Sequence, residues 1–281
     1  MKKFLASLAA VFLLVTGTAF AVDDAKPVTI SETPPAVQKA IAARTGDGKL
    51  DEIDRNNENG ETIFEVNFVT KAGDERDFTV ADDGTLLSLG VSLAETPVAV
   101  QKTIRAQAGG WEVAGINKNV ADADISFDVE VTKDGQEKSF NVANDGVLSS
   151  QEVALTETPA AVQAAIKTQL GDGRLMSIEE DFDPAGNSFD VEAVAQDGGK
   201  KSFSLAPDGR LLSEEVTLEK LPPPARKTIR EKIGDGKILR IDRSLSEKKA
   251  GVLPYQVEGR KGGKPFDFSV GPHGRFLGMD D

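Results

Sequence analysis

The stretch Glu32-Thr33-Pro34 returns along the chain as Glu95-Thr96-Pro97, as Glu157-Thr158-Pro159 and, more loosely, as Lys220-Leu221-Pro222. The prolines of these four copies are 63, 62 and 63 residues apart. A set of aromatic residues keeps the same phase: Phe64, Phe127, Phe189 and Tyr255. Self-similarity at a constant period is typical of chains that repeat one structural unit in tandem. The sequence therefore predicts four tandem repeats.

Each unit has the pattern of a short helix followed by strands. Thr33 is a good N-cap, and Pro34 suits the first helical position, where its missing N–H would have no partner in any case. Val37, Ala40 and Ile41 then form one apolar stripe of a helix. After the helix the apolar residues alternate with polar ones, which is the period of a strand. The predicted fold class is α+β: four tandem repeats, each a short helix packed on a small antiparallel β-sheet.

The phase of the repeat sets the predicted domain organisation. The segments are 1–21 (signal peptide), 22–27 (N-terminal lead-in), 28–90, 91–152, 153–215 and 216–281 (repeats 1 to 4). The signal peptide is predicted from Lys2 and Lys3, an apolar run from residue 4 to residue 15, and a cleavage pattern that ends at Ala21. That run is too short to cross a bilayer. We therefore expect cleavage, export to the periplasm or beyond, and no membrane span.

The composition argues against several classes of function. The chain has no cysteine, so thiol catalysis and thiolate metal sites are excluded. Its single histidine, His273, allows neither a histidine-based catalytic triad nor a multi-histidine metal site. A formal net charge of −13 disfavours general binding of nucleic acid. We predict a protein that is not an enzyme and that has no cofactor, no metal and no nucleic-acid partner.

The stretch Gly46-Asp47-Gly48 is similar to the back half of a calcium-binding loop. With Gly48 at the sixth position of an EF-hand loop, the first and third positions would be Ala43 and Thr45. The front half of the ligand set is therefore missing. A plain turn explains more of the pattern, because Gly46 can end the helix and Asp47-Gly48 can reverse the chain. We predict turns at these loops, and weak calcium binding is the alternative.

Acidic residues recur on the central strand of each predicted repeat. They alternate with the apolar residues that face the helix, so we expect their side chains on the open face of the sheet. The residues are Glu65, Asp128, Glu130, Asp190, Glu192 and Glu258. One interpretation is a solvated face whose charges prevent edge-to-edge pairing. The other is an acidic stripe that binds a basic partner, which would be another envelope protein or a peptide.

The fourth predicted repeat differs from the others in charge. Residues 216–281 carry a formal charge of +5, whereas the first three repeats carry −7, −5 and −7. Its clustered cations are Arg226, Lys227, Arg230, Lys232, Arg260, Lys261 and Lys264. Such asymmetry favours contact with an anionic envelope surface or docking onto acidic units, and chance divergence of one repeat is the alternative. A second hypothesis is therefore a structural or surface-associated envelope protein attached through its basic C-terminal repeat.

The pattern of Leu221-Pro222, Ile229, Gly234, Ile238 and Tyr255-Gln256-Val257 resembles the PepSY-like repeat family, also described as β-lactamase-inhibitor-like. The resemblance covers essentially the whole chain after residue 21, in four copies. It implies a helix packed on an antiparallel sheet, export from bacteria, and a role in binding or inhibiting other proteins. The sheet face has few of the aromatic anchors that tight interfaces use. The first hypothesis is a non-catalytic exported PepSY-like repeat protein that binds, and in one variant inhibits, another envelope protein or peptide.

Overall fold

The computed structural model describes residues 26–58, 61–120, 125–246, 248–261 and 264–279. The predicted signal peptide lies outside the described residues, as does most of the lead-in. The chain divides into two compact units, unit 1 from Met1 to Val147 and unit 2 from Leu148 to Asp281. The predicted repeat boundaries remain predictions.

Unit 1 contains two α-helices and eight strands within its described residues. The helices are α1 (Pro35–Thr45) and α2 (Val98–Ala108). The strands are β1 (Lys26–Pro27), β2 (Lys49–Glu58), β3 (Glu61–Val69), β4 (Glu75–Ala81), β5 (Leu86–Gly90), β6 (Glu112–Asn119), β7 (Ser126–Lys133) and β8 (Gln136–Ala143). Short 3-10 turns at Ile30–Glu32 and Leu93–Glu95 precede the two helices.

Unit 2 contains two α-helices and nine strands within its described residues. The helices are α3 (Ala160–Leu170) and α4 (Pro223–Ile233). The strands are β9 (Leu148–Glu152), β10 (Arg174–Asp181), β11 (Ser188–Val194), β12 (Lys200–Leu205), β13 (Leu211–Glu215), β14 (Lys237–Ser244), β15 (Tyr255–Lys261), β16 (Lys264–Val270) and β17 (Phe276–Met279). The 3-10 turns before its helices are Leu155–Glu157 and Leu218–Lys220.

The start of α1 differs from its prediction by one residue. The Thr33 hydroxyl donates to the carbonyl oxygen of Ile30 (2.8 Å) and so ends the 3-10 turn. The Thr33 carbonyl accepts a hydrogen bond from the side chain of Gln38 (2.8 Å). Pro34 is the N-cap residue, and the helix begins at Pro35. Thr33 is therefore not the N-cap, because its hydroxyl is already used by the preceding turn.

A β-bulge recurs on the first long strand after each helix. In the four ladders the register shifts between Leu50 and Glu52, Val113 and Gly115, Leu175 and Ser177, and Ile238 and Arg240. The post-bulge residue is the second of each pair. It lies opposite a polar residue of the next strand, in the pairs Glu52–Asn67, Gly115–Glu130, Ser177–Glu192 and Arg240–Glu258. The bulge thus marks the same local position in four segments, with a different residue at each.

The predicted fold class is wrong. Instead of four tandem α+β repeats with a short helix on each small sheet, the strands form one antiparallel sheet of 17 strands. Strand residues outnumber helical residues, 47% against 23%. The cause is pairing across the predicted repeat boundaries, such as Ser88 with Asn119 and Ser213 with Ser244. These ladders satisfy backbone groups that separate small sheets would leave open at their edges.

The helices cover hydrophobic cores on one side of the strands. Val37, Ala40 and Ile41 of α1 are buried, which confirms the predicted apolar stripe. They pack on side chains from β2, β3 and β4: Ile53, Phe64, Val66, Phe68, Phe78 and Val80. In unit 2, α3 and α4 each pack in a corresponding cluster. Burying each isoleucine or phenylalanine stabilises the fold by about 1.5 to 3 kcal/mol.

The loop after α1 is a turn, as predicted. Gly46 follows the helix with a φ of 51°, a conformation that glycine adopts without strain. The Gly48 N–H then donates to the carbonyl oxygen of Thr45 (2.7 Å) and closes the turn. Among the helices in the described ranges, none is long and apolar enough to cross a membrane.

Candidate functional site

Successive side chains of a strand point to opposite sides, so each strand has a core face and a polar face. On β3, Phe64 and Val66 are buried in the core, and Glu65 between them lies on the polar face. Cα partners in an antiparallel ladder share a face, so the strand pairing identifies the remaining members. The polar face of each unit is the set of side chains that these pairings connect.

The six acidic residues predicted to bind a partner all lie on the polar face. In unit 1 they are Glu65 on β3 and Asp128 and Glu130 on β7. In unit 2 they are Asp190 and Glu192 on β11 and Glu258 on β15. Each side chain is half-buried and has polar neighbours. Their role in binding a partner remains a prediction.

Amide side chains surround two of these carboxylates in unit 1. Asp128 accepts hydrogen bonds from the Nδ2 atoms of Asn119 and Asn141, each at 2.6 Å. Burial raises the pKa of Asp128, while these two amide donors lower it and so offset part of the shift. Asn56 likewise donates to Glu65. Unit 1 thus accommodates these carboxylates with neutral donors.

Two glycines lie on the polar face of unit 1, and the backbone is uncovered at one of them, Gly115. Gly115, the post-bulge residue of β6, lies opposite Glu130. Gly90 of β5 pairs with Asn117, which is two residues further along β6. The carboxylate of Asp77 lies over Gly90, because a Cβ added there would come 2.1 Å from Asp77 Oδ1. A Cβ at Gly115 would meet only Glu130 Oε2, at 3.9 Å. We call Gly90 and Gly115 the glycine gap.

Carboxylates flank the glycine gap. Burial raises the pKa of Glu130. Three neighbouring carboxylates raise the pKa of Glu130 further, those of Glu137, Asp128 and Asp77. Partial burial raises the pKa of Asp77, and the adjacent Arg76 lowers it in part. The gap is therefore a region of negative charge that water screens only partly.

On the polar face of unit 1, the residues that the described pairings of β3 to β8 connect include no lysine or arginine. One lysine of this face lies on β2, where Lys49 pairs with Val69. The residues of this face that the pairings of β3 to β8 connect include Asn67, Asp77, Glu65, Thr79, Ser88, Asn119, Ser126, Gly90, Asn117, Asp128, Asn141, Gly115, Glu130 and Ser139. Arg76, the cation beside Asp77, pairs with Glu95 at 2.7 Å. The negative charge of this face is thus not balanced by cations on the face itself.

Unit 2 places an arginine at the corresponding position. Arg240, the post-bulge residue of β14, lies opposite Glu258. Its Nε donates to Asp242 Oδ2 at 2.5 Å, and its guanidinium also donates to the Ser202 hydroxyl at 3.2 Å. Burial opposes the charge of Arg240, but Asp242 and the other nearby carboxylates outweigh it and raise the arginine pKa. Arg240 thus neutralises part of the polar face from within.

Carboxylates around Arg240 have raised pKa values. Burial raises the pKa of Glu258 to about 7, although Arg240 acts in the opposite direction. Burial also raises the pKa of Asp267 to about 6, with Lys249 opposing and Asp242 adding to the shift. A second lysine, Lys200, pairs with Glu192 at 3.3 Å. Unit 2 therefore supplies several of its own cations to this face.

Asp181 and Asp190 form a carboxyl pair on β10 and β11. Burial raises the pKa of Asp181 to about 8, and the charge of Asp190 raises it further. Burial also raises the pKa of Asp190, while a hydrogen bond from the Ser204 hydroxyl lowers it. The raised pKa favours the protonated form of Asp181, whose O–H can then donate to Asp190. Ser150, which pairs with Asp181 across the ladder, has a buried hydroxyl with no hydrogen-bond partner.

The predicted basic set does not form one cluster. The cations of α4 are accessible: Lys227, Arg230 and Lys232 are exposed, and Arg226 is half-buried. A shallow depression on this helix is lined by Arg226, Lys227 and Arg230 together with Pro223 and Glu231. The other members have other neighbours: Lys232 lies over the ring of Phe276 (4.0 Å), Lys261 pairs with Asp235 (2.8 Å), and Arg260 is half-buried on β15. The side chain of Lys264 lies outside the described residues. Their contact with an anionic surface remains a prediction.

Sequence reasoning missed the residues that distinguish the two polar faces. In the part of the chain that the structure describes, no cluster of three or more acidic or histidine side chains is placed to hold a metal ion. The missed residues are Asp77, Gly90, Gly115, Asp181, Arg240, Asp242 and Asp267. Glycine inside a strand pattern is a usable signal, because it marks a bulge or a close approach of another group. Arg240 was a second signal, because the other three post-bulge residues, Glu52, Gly115 and Ser177, are not cations.

No protein-family model matches the chain, and no curated protein matches it. It is similar in part to a BLIP-like protein of Bacteroides fragilis NCTC 9343, with 16% identity and a TM-score of 0.33 over 44% of this chain and 86% of that one. It is similar to a DUF2874 family protein of Bacteroides ovatus ATCC 8483, with 17% identity and a TM-score of 0.32 over 42% and 84%.

A third similar structure is a proposed periplasmic protein of Bacteroides eggerthii DSM 20697, with 18% identity and a TM-score of 0.33 over 42% of this chain and 87% of that one. The similar structures thus include BLIP-like and proposed periplasmic proteins. Membership of the PepSY-like family in four copies, and export through a cleaved signal peptide, remain predictions for this chain.

Proposed function

We propose that this chain is a non-catalytic exported protein that binds a basic envelope protein or peptide through the polar face of its sheet. The observation that carries the proposal is the charge of unit 1. The described pairings of β3 to β8 place Asp77, Asp128 and Glu130 on one face of this unit, and no lysine or arginine is among the residues of that face that these pairings connect. Half-buried carboxylates that outnumber the cations of their face are unfavourable, so a cationic partner gains free energy by neutralising them.

Charge reversal on the two units tests the proposal. Wild-type protein and the variants Glu130→Lys and Glu192→Lys serve as parallel baits for envelope extract of the native host, and the bound proteins are quantified by mass spectrometry. We expect Glu130→Lys to lose the partner. Glu192→Lys should lose less, because Lys200 already lies 3.3 Å from Glu192. Retention of every stoichiometric partner by both variants would contradict the proposal.

A second candidate is attachment to an anionic envelope surface through α4. Arg226, Lys227 and Arg230 lie together on this helix, with only Glu231 as an acidic neighbour in the same depression. This function predicts that wild-type protein sediments with anionic vesicles and is released by salt above about 0.3 M, where screening is strong. A triple variant with glutamine at these three arginine and lysine positions should not sediment. Equal sedimentation of that variant would exclude attachment through α4.

A further inference from the structure

The post-bulge positions of β6 and β14 are equivalent in backbone and differ in side chain. In both ladders the register shift is followed by a residue opposite a glutamate: Gly115 opposite Glu130, and Arg240 opposite Glu258. The preceding strands also correspond, since Gly90 pairs with Asn117 in the way that Glu215 pairs with Asp242. Arg240 therefore shows that this backbone accommodates an arginine side chain at the position where unit 1 has Gly115.

Arg240 spans several strands from its position. Its guanidinium reaches Ser202 on β12, beyond the intervening β13, and also contacts Asp242 on its own strand. In unit 1 the residue that corresponds to Ser202 is Asp77. Each directly precedes a buried phenylalanine, and each pairs with a polar-face residue of the preceding strand: Ser202 with Glu192 of β11, and Asp77 with Asn67 of β3. A group held over Gly115 would thus have a carboxylate on each side, from Asp77 and from Glu130.

We infer that the glycine gap of unit 1 receives the guanidinium group of an arginine carried by an extended segment of the partner, an inference that rests on the proposed binding function. Charge complementarity is one ground, because Asp77 and Glu130 flank the gap and the described pairings of β4 to β8, the strands around it, place no lysine or arginine on this face. Space is the other ground. A side chain entering from solvent meets bare backbone at Gly115, where a Cβ would contact only Glu130, at 3.9 Å.

The geometry favours arginine over lysine. A guanidinium is planar and presents five N–H donors, so it can bond to a carboxylate on either side and lie flat against glycine backbone. An ammonium group is a compact, strongly hydrated charge that cannot cover the same surface. Arg240 illustrates the first case in unit 2, where one guanidinium serves both a carboxylate and a hydroxyl on different strands.

The test is a titration of the full-length protein with three short capped peptides of sequence Ser-Thr-X-Thr-Ser, where X is arginine, lysine or citrulline. Amide NMR signals of Gly90 and Gly115 report binding at the gap, at an ionic strength of about 20 mM, where screening is weak. We expect saturable shifts of both glycine signals with the arginine peptide. The lysine peptide should bind about tenfold more weakly, and the uncharged citrulline peptide should give no saturable shift.

Two variants of unit 1 and one of unit 2 sharpen the test. Gly115→Arg supplies the guanidinium from the chain itself and should abolish peptide binding, while Glu130→Gln should weaken it about tenfold. Ser177→Arg places the same new charge at the post-bulge position of β10 and should leave the shifts of Gly90 and Gly115 unchanged. Equal binding of the citrulline peptide, or undiminished binding by Gly115→Arg, would overturn the inference.

The inference and the proposed function fail in different ways. If Glu130→Lys loses its envelope partner but the arginine peptide causes no shift at Gly90 or Gly115, the binding function stands and the guanidinium site is excluded. If the lysine and arginine peptides bind equally, the gap is a cation site without preference for guanidinium, and the inference is again overturned. Saturable arginine-selective shifts that Gly115→Arg removes would support it.

Discussion

The polar faces of the two units solve the same electrostatic problem differently. Both faces carry half-buried carboxylates that alternate with buried core residues along a strand, such as Asp128 in unit 1 and Asp190 in unit 2. Unit 2 has Arg240 at the post-bulge position of β14, whereas unit 1 has Gly115 at the post-bulge position of β6. The comparison shows that the sheet geometry tolerates either residue. It also shows that one side chain at this position, arginine or glycine, changes how far the carboxylates of the polar face are neutralised from within the unit.

Removing the internal cation of unit 2 should have the largest effect. We expect Arg240→Met to lower the free energy of unfolding of unit 2 by about 3 kcal/mol, because Asp242 and Glu258 lose their compensating charge while staying partly buried. Urea unfolding followed by Tyr255 fluorescence measures the change, since Tyr255 is the single tyrosine and lies buried in unit 2. Arg243→Met is the matched control, with an expected loss of at most about 1 kcal/mol from a more exposed ion pair. Equal losses would break the comparison.

Stability of unit 2 should fall as pH rises. Asp181, Glu258 and Asp267 have folded-state pKa values of about 8, 7 and 6, all above those of the unfolded chain. A carboxyl group with a raised pKa stabilises the folded state fully below its unfolded pKa and loses that contribution as pH rises through its folded pKa. We therefore expect the free energy of unfolding to drop by at least about 2 kcal/mol between about pH 4 and pH 8, and by less than the full ~1.4 kcal/mol per unit of pKa because these carboxyl groups are partly solvated.

The measurement is urea unfolding at a series of pH values, read at Tyr255 for unit 2 and at Trp111, the single tryptophan, for unit 1. The slope at Trp111 should be smaller, because two amide donors offset the burial of Asp128. Asp181→Asn keeps a donor for Asp190 but cannot ionise, so it should flatten the unit 2 profile. A profile that rises with pH would show that the carboxyl groups are not held in their protonated form.

Removing a carboxylate from the amide network of unit 1 should have a smaller effect. Asp128→Ala leaves the Asn119 and Asn141 amides without their acceptor, and Asn141 is only 6% exposed. We expect the free energy of unfolding of unit 1 to fall by about 1.5 kcal/mol because these donors are left unsatisfied, and the unfolding transition of Trp111 measures the change. Asp47→Ala, at an exposed turn, is the control and should change stability by less than about 0.5 kcal/mol. A shift of the Tyr255 transition instead would contradict the assignment of this network to unit 1.

Filling the glycine gap should have the smallest effect. Gly115→Arg is expected to raise the melting temperature reported by Trp111, with a gain of about 0.5 kcal/mol from new pairing with Glu130 and from lower backbone entropy in the unfolded chain. Gly115→Gln shares the second contribution but not the first. A larger gain for arginine than for glutamine at neutral pH would make unit 1 resemble unit 2 and so confirm the reason for their difference.

Several local features could be predicted from the sequence because they depend on neighbours along the chain. The stripe of Val37, Ala40 and Ile41 follows from the helical period, and the turn at Gly46 follows from its tolerance of a positive φ. The alternation around Glu65 follows from the period of a strand, which places its side chain opposite the core. These features need no knowledge of which segments meet.

The tertiary structure alone decided which strands pair and which side chains meet across them. Backbone hydrogen bonds are the same for every strand, so periodicity indicates the face of a residue and not its neighbour across the ladder. The error in fold class arose there, since pairings such as Ser88 with Asn119 join the predicted small sheets. Gly90 and Gly115 likewise come together only through the β5–β6 ladder, and Arg240 meets Ser202 only across β13. Both approaches depend on the register of strands that are distant in sequence, so the sequence pattern does not reveal them.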